Sequence, residues 1–447
     1  MKTRLSFLYF LQFSVWGCYL TCLGQFIGAN GLGNKIAWFY AAIGLVSIIT
    51  PSLLGRLADK TGRPERLLMF CHLVASAFMF IMWWYGSTHP MLEFKVFYPL
   101  YLSFLSFYMP TMALANTTTF RILSENGHNP TTAFPTIRIW GTVGFVAAMW
   151  FVNSAYWHDG AIGFTLNEGL PFSHLRFQYN AGQLLCSGVM GLITSLYSLF
   201  LPKMVVGIGK VVGDRLKTAS LFNSIGSVMK IARVKVFLIF VILTGVCLQI
   251  SNGFATPFIT HFSGISEYSE SLASGNATML FSISQISEAF CVLFLGITMK
   301  RIGIRWVYAV GLLAWGLRFL FFGLGNPGEG LWLLIGSMLV YGIAFNFITI
   351  AGHIYIQQVA PENMKGFAQG LMMFMSNGIG ATLGMIGAGA VVNHWCRWET
   401  VNTKIGNGIR LFMGEWEWPW LVFALYAFIV LLFWLFLFKG SKKVVSR

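Results

Sequence analysis

The chain has 447 residues, of which 56% are hydrophobic and 10% are charged, whereas an average soluble domain has about 25% charged residues. This composition excludes a soluble globular protein and indicates a polytopic membrane protein. The formal net charge of +15 does not indicate nucleic-acid binding, because the basic residues cluster in short segments between apolar runs.

Twelve apolar runs follow one another along the chain, each long enough to cross a bilayer as a helix. Only helices and closed barrels satisfy the backbone in lipid, and these runs lack the short alternating pattern of barrel strands. The first run is also too long for the core of a signal peptide. We therefore predict an all-α polytopic fold with twelve transmembrane helices at approximately 5–27, 37–57, 67–86, 94–118, 134–156, 180–202, 234–260, 277–298, 304–325, 331–357, 366–392 and 418–438.

The placement of the basic residues predicts the orientation of these helices. With the amino terminus inside, most of the 30 Lys and Arg residues lie in inside segments, and the two longest outside loops are 157–179 and 393–417. Arg138 and Arg318 lie within or at the edge of spans. This positive-inside bias predicts that both termini are cytoplasmic. The basic residues that fall outside are Lys35, Lys95, Arg176, Arg397, Lys404 and Arg410.

The longest inside segment, 203–233, is basic and glycine-containing and separates the sixth span from the seventh. Its Gly207-x-Gly209 pair follows no strand and opens no βαβ unit, so we do not interpret it as a dinucleotide-binding loop. We interpret 203–233 as a cytoplasmic linker. The predicted domains are then a six-helix bundle at 1–202 and a second one, with a short basic tail, at 234–447.

A loop motif that occurs twice supports this division into two six-helix bundles. Spans two and three are joined by Gly55-Arg-Leu-Ala-Asp59-Lys-Thr-Gly62-Arg63-Pro-Glu-Arg66, and spans eight and nine by a degenerate copy, Gly296-Ile-Thr-Met-Lys300-Arg-Ile-Gly303-Ile-Arg305. The first copy closely resembles the motif Gly-x-x-x-Asp-x-x-Gly-Arg-x-x-Arg of the major facilitator superfamily. The resemblance implies the major facilitator fold, with two pseudo-symmetric six-helix bundles, and it implies gating roles for Asp59, Arg63 and Arg66.

Glu288 lies near the middle of the apolar run 277–298, and no other carboxylate lies within a predicted span. An ionised carboxylate there costs at least ~2.5–3.5 kcal/mol, so it must be protonated, paired or beside a water-filled cavity. Gln285, three residues earlier, shares its helical face. Together they predict a polar ligand site that also takes up a proton. The alternative is a protonated glutamate that ties two helices together.

Three other spans carry polar and aromatic side chains at helical spacing. Each stripe alone is compatible with a structural role, such as interhelical hydrogen bonding, packing, or extension of an arginine to the interface. Together, amides, hydroxyls, one arginine and aromatic rings suit a neutral, polyhydroxylated ligand with a flat ring. The stripes are Arg138, Thr142 and Phe145 on the fifth span, Gln249 and Asn252 on the seventh, and Tyr341, Phe345 and Asn346 on the tenth.

With these residues identified, the chain resembles the nucleoside:proton symporters of the major facilitator superfamily. The matching stretches run through both halves: 10–13 with Trp16-Gly17, Pro110-Thr111, 135–145 (including Arg-Ile-Trp-Gly-Thr), 248–252, 282–288 (Ser-Ile-Ser-Gln-Ile-Ser-Glu), 340–342 and 368–370. The resemblance implies import of nucleosides such as uridine and adenosine together with protons.

The same resemblance implies a multi-pass carrier in the lipid of the bacterial cytoplasmic (inner) membrane. We expect it to be a monomer and to need no cofactor. It implies that Glu288 binds the proton and that the substrate site is lined by Arg138, Thr142, Phe145, Gln249, Asn252, Gln285, Glu288, Tyr341 and Phe345. We expect the neighbouring Asn346 to be part of the same site.

Asn346 departs from the family pattern, which has an aspartate after Ala344-Phe345. Either Glu288 alone handles the proton, or coupling is weakened and the chain behaves as a facilitator. A carrier for a sugar or another small polar metabolite is a further alternative. A membrane-embedded enzyme is disfavoured, because the sequence has no His-Glu-x-x-His, no Gly-x-Ser-x-Gly and no paired intramembrane aspartates.

Overall fold

The computed structural model describes residues 1–61, 63–166, 172–202, 232–269, 271–359, 365–403 and 406–438. Within these ranges, eight helical stretches are long and apolar enough to cross a membrane. The prediction of a polytopic helical membrane protein is therefore confirmed. The predicted linker, 203–233, lies outside the described residues except for its last two positions.

The helices before the linker coincide closely with the predicted spans. The first predicted span, 5–27, is divided into two helices, and a π-helical turn at Gly28–Leu32 follows, in which Gly31 has a φ of 97°. This left-handed conformation is open to glycine at little cost. The helices are α1 Lys2–Tyr19, α2 Leu23–Ile27, α3 Ile36–Thr61, α4 Pro64–Thr88, α5 Phe94–Glu125, α6 Pro130–Ser154 and α7 Gly182–Ser198.

The helices after the linker are α8 Ala232–His261, α9 Leu272–Gly275, α10 Ala277–Leu324, α11 Leu331–Val359, α12 Lys365–Met373, α13 Ala381–Trp395 and α14 Glu417–Leu437. The long α10 contains the eighth and ninth predicted spans. It is interrupted at Gly303, whose φ of 72° and ψ of 169° are not helical. The second glycine of the degenerate motif therefore makes the turn between these two spans, as glycine can at positive φ. A π-helical turn, Phe374–Gly380, separates α12 from α13.

The two long loops predicted to lie outside, 157–179 and 393–417, contain β-hairpins, so the all-α prediction was wrong for these segments. Strand β1, Ala155–His158, pairs antiparallel with β2, Ala161–Phe164. Asp159 and Gly160 connect them with φ values of 47° and 78°. An Asp-Gly pair is a strong hairpin signal because both residues tolerate positive φ. The second hairpin consists of β3, Cys396–Thr403, and β4, Gly406–Gly414.

By internal contacts the chain divides into two compact units. Unit 1 consists of 1–211, 252–282 and 397–413, and unit 2 consists of 212–251, 283–396 and 414–447. Helices α8 and α10 each contribute one part to each unit. The division into bundles at 1–202 and 234–447 remains a prediction.

Within unit 1, α1 and α6 are in backbone contact. A Cβ atom added at Gly144 would lie 2.1 Å from the carbonyl oxygen of Phe10, and one at Gly17 would lie 2.3 Å from that of Phe145. Ser14 Oγ donates to the carbonyl oxygens of Phe10 at 2.7 Å and Gly144 at 3.1 Å. Small residues let helices in lipid approach this closely. The contact fixes the register of α6, the helix that carries the first predicted stripe.

A buried polar network ties the segment before α10 to α6 within unit 1. Arg176 is fully buried and donates from Nη1 to Asn276 Oδ1 at 2.8 Å and from Nη2 to the Gly275 carbonyl at 2.9 Å. Asn153 Nδ2 on α6 also donates to Asn276 Oδ1, at 2.7 Å. Tyr179 adds a hydrogen bond to the Gly275 carbonyl at 2.8 Å. Asn276 is therefore the common acceptor of an arginine and an asparagine that are distant in sequence.

We expect Asn276→Ala to destabilise the protein by about 2–3 kcal/mol. It removes an acceptor from a buried guanidinium, and a buried donor left unsatisfied costs ~1–3 kcal/mol, more for a charged group. The thermal unfolding midpoint in detergent measures the effect. Asn126→Ala is the matched control, since Asn126 is exposed and its side chain donates to the Ile122 carbonyl of its own helix. Equal midpoints for both variants would contradict this prediction.

Candidate functional site

The predicted residues of α10 and α11 meet in unit 2, where these helices cross with their backbones in contact. A Cβ atom added at Gly342 would lie 2.4 Å from the carbonyl oxygen of Ser287, and the Ser287 hydroxyl donates to the Leu339 carbonyl. Asn346 Nδ2 donates to the main-chain oxygen of Glu288 at 2.8 Å. The crossing places the face of α10 that carries Glu288 beside the polar side of α11.

Aromatic and polar groups surround Glu288 at this crossing. The rings of Tyr341 and Phe345 stack with centroids 5.8 Å apart and an interplanar angle of 16°. Gln285 and Glu288 both lie near the Tyr341 hydroxyl. Tyr341 is buried, whereas Gln285, Glu288 and Phe345 are half-buried. A carboxylate, an amide and an aromatic face are therefore partly accessible on one side of unit 2.

Two buried amide oxygens in unit 2 have no hydrogen-bond partner among the described residues: Asn346 Oδ1 and Gln249 Oε1. Asn346 is fully buried and Gln249 is 6% exposed. A buried acceptor without a partner is uncommon in proteins and calls for an explanation, such as an ordered water or a ligand. Both residues were predicted from sequence as substrate contacts.

Arg318 is a residue of this region to which the sequence analysis assigned no role. It is fully buried in the second part of α10. Its guanidinium carbon lies 4.6 Å from the centroid of the Tyr341 ring. The sequence does indicate a role for Arg318, because an arginine inside an apolar run is a candidate functional residue by default. Its position 14 residues after Ile304 places it well within the ninth span.

The first predicted stripe lies in unit 1 on α6. The Arg138 guanidinium carbon lies 3.9 Å from the centroid of the Phe13 ring on α1, and Phe13 in turn contacts Trp16 edge-on at 6.0 Å. Arg138 and Thr142 are half-buried, and Phe145 is 6% exposed. A guanidinium on an aromatic face is stabilised by the ring quadrupole. The contact of Arg138 with Phe13 was not predicted from the sequence.

The remaining predicted residues are distributed as follows. Asn252, 9% exposed, lies on the part of α8 that belongs to unit 1, and Gln249 lies on the part that belongs to unit 2. Of the predicted gating residues, Arg63 and Arg66 are exposed at the start of α4, whereas the side chain of Asp59 lies outside the described residues.

Unit 1 contains a second polar network, which was not predicted from the sequence. His72 Nε2 on α4 lies 2.6 Å from Gln12 Oε1, and Gln12 Nε2 donates to Thr111 Oγ1 at 2.7 Å. All three side chains are fully buried. Their apolar surroundings in sequence gave no indication that a histidine on α4 would meet a glutamine on α1. In the described part of the chain, no cluster of His, Cys, Asp and Glu side chains could hold a metal ion.

A family model described as Nucleoside H+ symporter matches residues 1–443. The chain is 34% identical over 446 residues to a xanthosine permease of Escherichia coli K12, with 98% of this chain and 95% of the relative covered. It is 33% identical over 442 residues to the nucleoside permease NupG of the same organism, with 98% and 96% covered.

Solved structures agree with these relatives. The crystal structure of the nucleoside transporter NupG has a TM-score of 0.78 at 31% identity, covering 98% of this chain and 99% of that one. A bacterial homologue of the lysosomal transporter Spinster has a TM-score of 0.66 at 14% identity, covering 98% of this chain and 96% of that one. This likeness concerns the fold alone.

The fold is that of major facilitator transporters, and the relatives are permeases rather than enzymes. The chain is a multi-pass membrane transporter and belongs to the nucleoside H+ symporter family.

Proposed function

We propose that this protein imports nucleosides across the bacterial cytoplasmic membrane in symport with protons, and that Glu288 is the proton-binding group. The observation that carries the proposal is the crossing of α10 and α11, where a half-buried carboxylate lies among Gln285, Tyr341 and Asn346. The family membership and the nucleoside permeases among the relatives support the choice of substrate.

The chemistry of the proposed site residues fits a nucleoside. Ribose hydroxyls need both donors and acceptors, and the unpartnered oxygens of Asn346 and Gln249 accept hydrogen bonds while Arg138 donates them. A nucleobase offers a π face, which suits the stacked rings of Tyr341 and Phe345. In this proposal Thr142, Phe145, Asn252 and Gln285 complete the substrate site.

The proposed mechanism is alternating access by two six-helix bundles, with twelve spans and both termini in the cytoplasm. Asp59, Arg63 and Arg66 serve as gating residues, in the role implied by their loop motif. The carrier works as a monomer in the inner membrane and needs no cofactor. Protonation removes the cost of an ionised carboxylate in the membrane interior. Proton binding to Glu288 therefore favours the conformational change that moves the nucleoside-loaded site from one side of the membrane to the other.

Asn346 is compatible with a coupling scheme in which Glu288 acts alone. Its side-chain amide donates to the main-chain oxygen of Glu288. An ionised aspartate has no proton to donate and cannot make this hydrogen bond. In the proposed mechanism Asn346 positions α10 against α11 and does not titrate.

Uridine uptake into proteoliposomes with an imposed pH gradient tests the proposed function. We expect accumulation with an alkaline interior, and competition by unlabelled uridine and adenosine but not by free ribose or glucose. Competition by ribose or glucose alone would favour a sugar carrier. Equilibration without accumulation would identify a facilitator.

We expect Arg138→Ala to raise the KM for nucleoside about tenfold or more. A hydrogen bond to a charged group contributes ~1.5–3 kcal/mol, and 1.4 kcal/mol corresponds to a factor of ten. Arg138→Lys keeps the positive charge but loses the planar, forked guanidinium. Its KM should therefore lie between that of the wild type and that of Arg138→Ala. Lys95→Ala removes an exposed cation at the start of α5 and serves as the control. Unchanged KM values in both Arg138→Ala and Gln285→Ala would assign purely structural roles to these residues.

A further inference from the structure

The side chain of Arg138 lies in a cradle formed by two residues, Phe13 on α1 and Gly141 on its own helix. The guanidinium carbon lies 3.9 Å from the centroid of the Phe13 ring. A Cβ atom added at Gly141, one turn after Arg138 on α6, would lie 2.8 Å from Arg138 Nη1 and 2.7 Å from Phe13 Cδ2. The guanidinium and the ring therefore fill the space that a side chain at position 141 would need.

The Phe13 ring is held by its neighbours on α1. The Trp16 ring contacts it edge-on with centroids 6.0 Å apart, and the Tyr9 ring lies nearly parallel to it at 6.3 Å. Residues 9, 13 and 16 are spaced by about one helical turn and share one face of α1. The direction in which the ring points is therefore set by α1 itself.

Backbone contacts hold α1 against α6 on both sides of this ring. Ser14, the residue after Phe13, donates from Oγ to the Gly144 carbonyl at 3.1 Å. One turn before Phe13, the carbonyl oxygen of Phe10 lies so close to Gly144 that no Cβ atom fits there. These contacts fix the distance between the backbone of Phe13 and that of Gly141.

We propose that Phe13 and Gly141 are positioning residues for nucleoside recognition, and that they hold the Arg138 guanidinium where it meets the substrate. The inference rests on the proposed role of Arg138 in the substrate site. An aromatic face attracts a guanidinium, and more strongly where water is scarce. An arginine side chain has many rotamers, and restricting them on binding lowers affinity. A guanidinium that is restricted before the substrate arrives loses less freedom on binding.

The glycine at position 141 agrees with this role. Glycine is disfavoured relative to alanine in the interior of a helix. Gly141 lies inside α6 without a positive φ, so no turn requires it. The atoms nearest to its added Cβ belong to the side chains of Phe13 and Arg138, whereas those at Gly144 are main-chain atoms of Phe10. Gly141 thus makes room for an arginine on a ring, and Gly144 makes room for a helix backbone.

Uridine exchange at equal pH on both sides of the membrane tests the inference without requiring proton coupling. Phe13→Leu keeps a large apolar side chain but has no aromatic face. We expect it to raise the KM for uridine about three- to tenfold with the maximal rate nearly unchanged, because only binding is weakened. Phe13→Tyr restores the face and should return the KM to the wild-type value. Phe7→Leu is the matched control and should leave the KM unchanged, since Phe7 is exposed on α1 and its ring stacks on Phe10.

The same substitution in an Arg138→Ala background separates positioning from packing. With the guanidinium gone, Phe13→Leu should change the KM by less than about twofold, because coupled residues are not additive. A ring that only packs between helices would raise the KM by the same factor in both backgrounds. Gly141→Ala displaces the guanidinium and should also raise the KM, which provides a second variant should Phe13→Leu fold poorly. Gly387→Ala is its control, because its added Cβ meets nothing within 4 Å.

Proton NMR of the carrier with isotope-labelled arginine reports on the cradle directly. Protons over the face of an aromatic ring resonate upfield, and the Arg138 signal is assigned by its loss in Arg138→Lys. We expect an upfield guanidinium signal in the wild type and in Phe13→Tyr, and its return to the ordinary range in Phe13→Leu. This readout needs no substrate.

Equal factors in the two backgrounds would overturn the inference, as would a wild-type KM in Phe13→Leu. So would a wild type without the upfield signal, or an upfield signal that persists in Phe13→Leu. The proposed function fails separately, when the wild type shows the upfield signal but does not exchange uridine.

Discussion

Glu288→Gln is expected to abolish proton-driven accumulation of nucleoside while exchange of labelled for unlabelled nucleoside continues. Glutamine keeps the shape and hydrogen-bonding capacity of a protonated glutamate but cannot release a proton. For one proton per nucleoside, a gradient of one pH unit supports roughly tenfold accumulation, because 1.4 kcal/mol corresponds to a factor of ten. We expect the variant to lose this accumulation entirely and to equilibrate nucleoside across the membrane.

The measurement is uridine uptake in proteoliposomes with and without the gradient, beside counterflow at equal pH. Glu93→Gln is the matched control, since Glu93 is an exposed acid immediately before α5. It should accumulate nucleoside as the wild type does. Accumulation by Glu288→Gln at wild-type levels would falsify the assignment of Glu288 as the proton site.

Gly144→Leu is the substitution for which we expect the largest loss of stability, about 3 kcal/mol or more. The new Cβ atom alone would lie 2.1 Å from a main-chain oxygen of α1, so the helices must separate. Overpacking of a rigid contact costs ~1–3 kcal/mol, and more where backbone must move. Because α6 carries Arg138 and Thr142, the same displacement should also weaken nucleoside binding.

Thermal unfolding in detergent and equilibrium binding of uridine measure the two effects. Gly387→Ala on α13 is the control, because nothing lies within 4 Å of the Cβ atom it adds. Alanine is favoured over glycine in a helix by ~0.8–1 kcal/mol, so this variant should be as stable as the wild type or slightly more stable. Similar stability of Gly144→Leu and Gly387→Ala would contradict this prediction, because it would mean that α1 and α6 are not in close backbone contact at Gly144.

The positions of the helices could be predicted from the sequence because long apolar runs of this kind cross a membrane as α-helices. Gln285, Glu288 and Tyr341 could be identified because polar groups inside membrane spans are energetically costly and therefore indicate a functional site. Partners on other helices could not be predicted, since they depend on rotation and crossing. For this reason the pairing of Arg138 with Phe13 and the contacts of Arg318 emerge only in three dimensions. The hairpin at Asp159-Gly160 was recognisable but was hidden inside a segment interpreted as a loop.

The Arg176 network bears on how the protein is made. Arg176 and Asn276 are 100 residues apart, and the guanidinium has its full set of partners only when residue 276 has been synthesised. At roughly 5–20 residues per second the nascent chain needs about 5–20 s to cover that interval. During this time a charge destined for the interior stays hydrated at the membrane surface. We therefore expect the hairpin and the segment 172–180 to dock late in biogenesis, after the eighth span has left the ribosome.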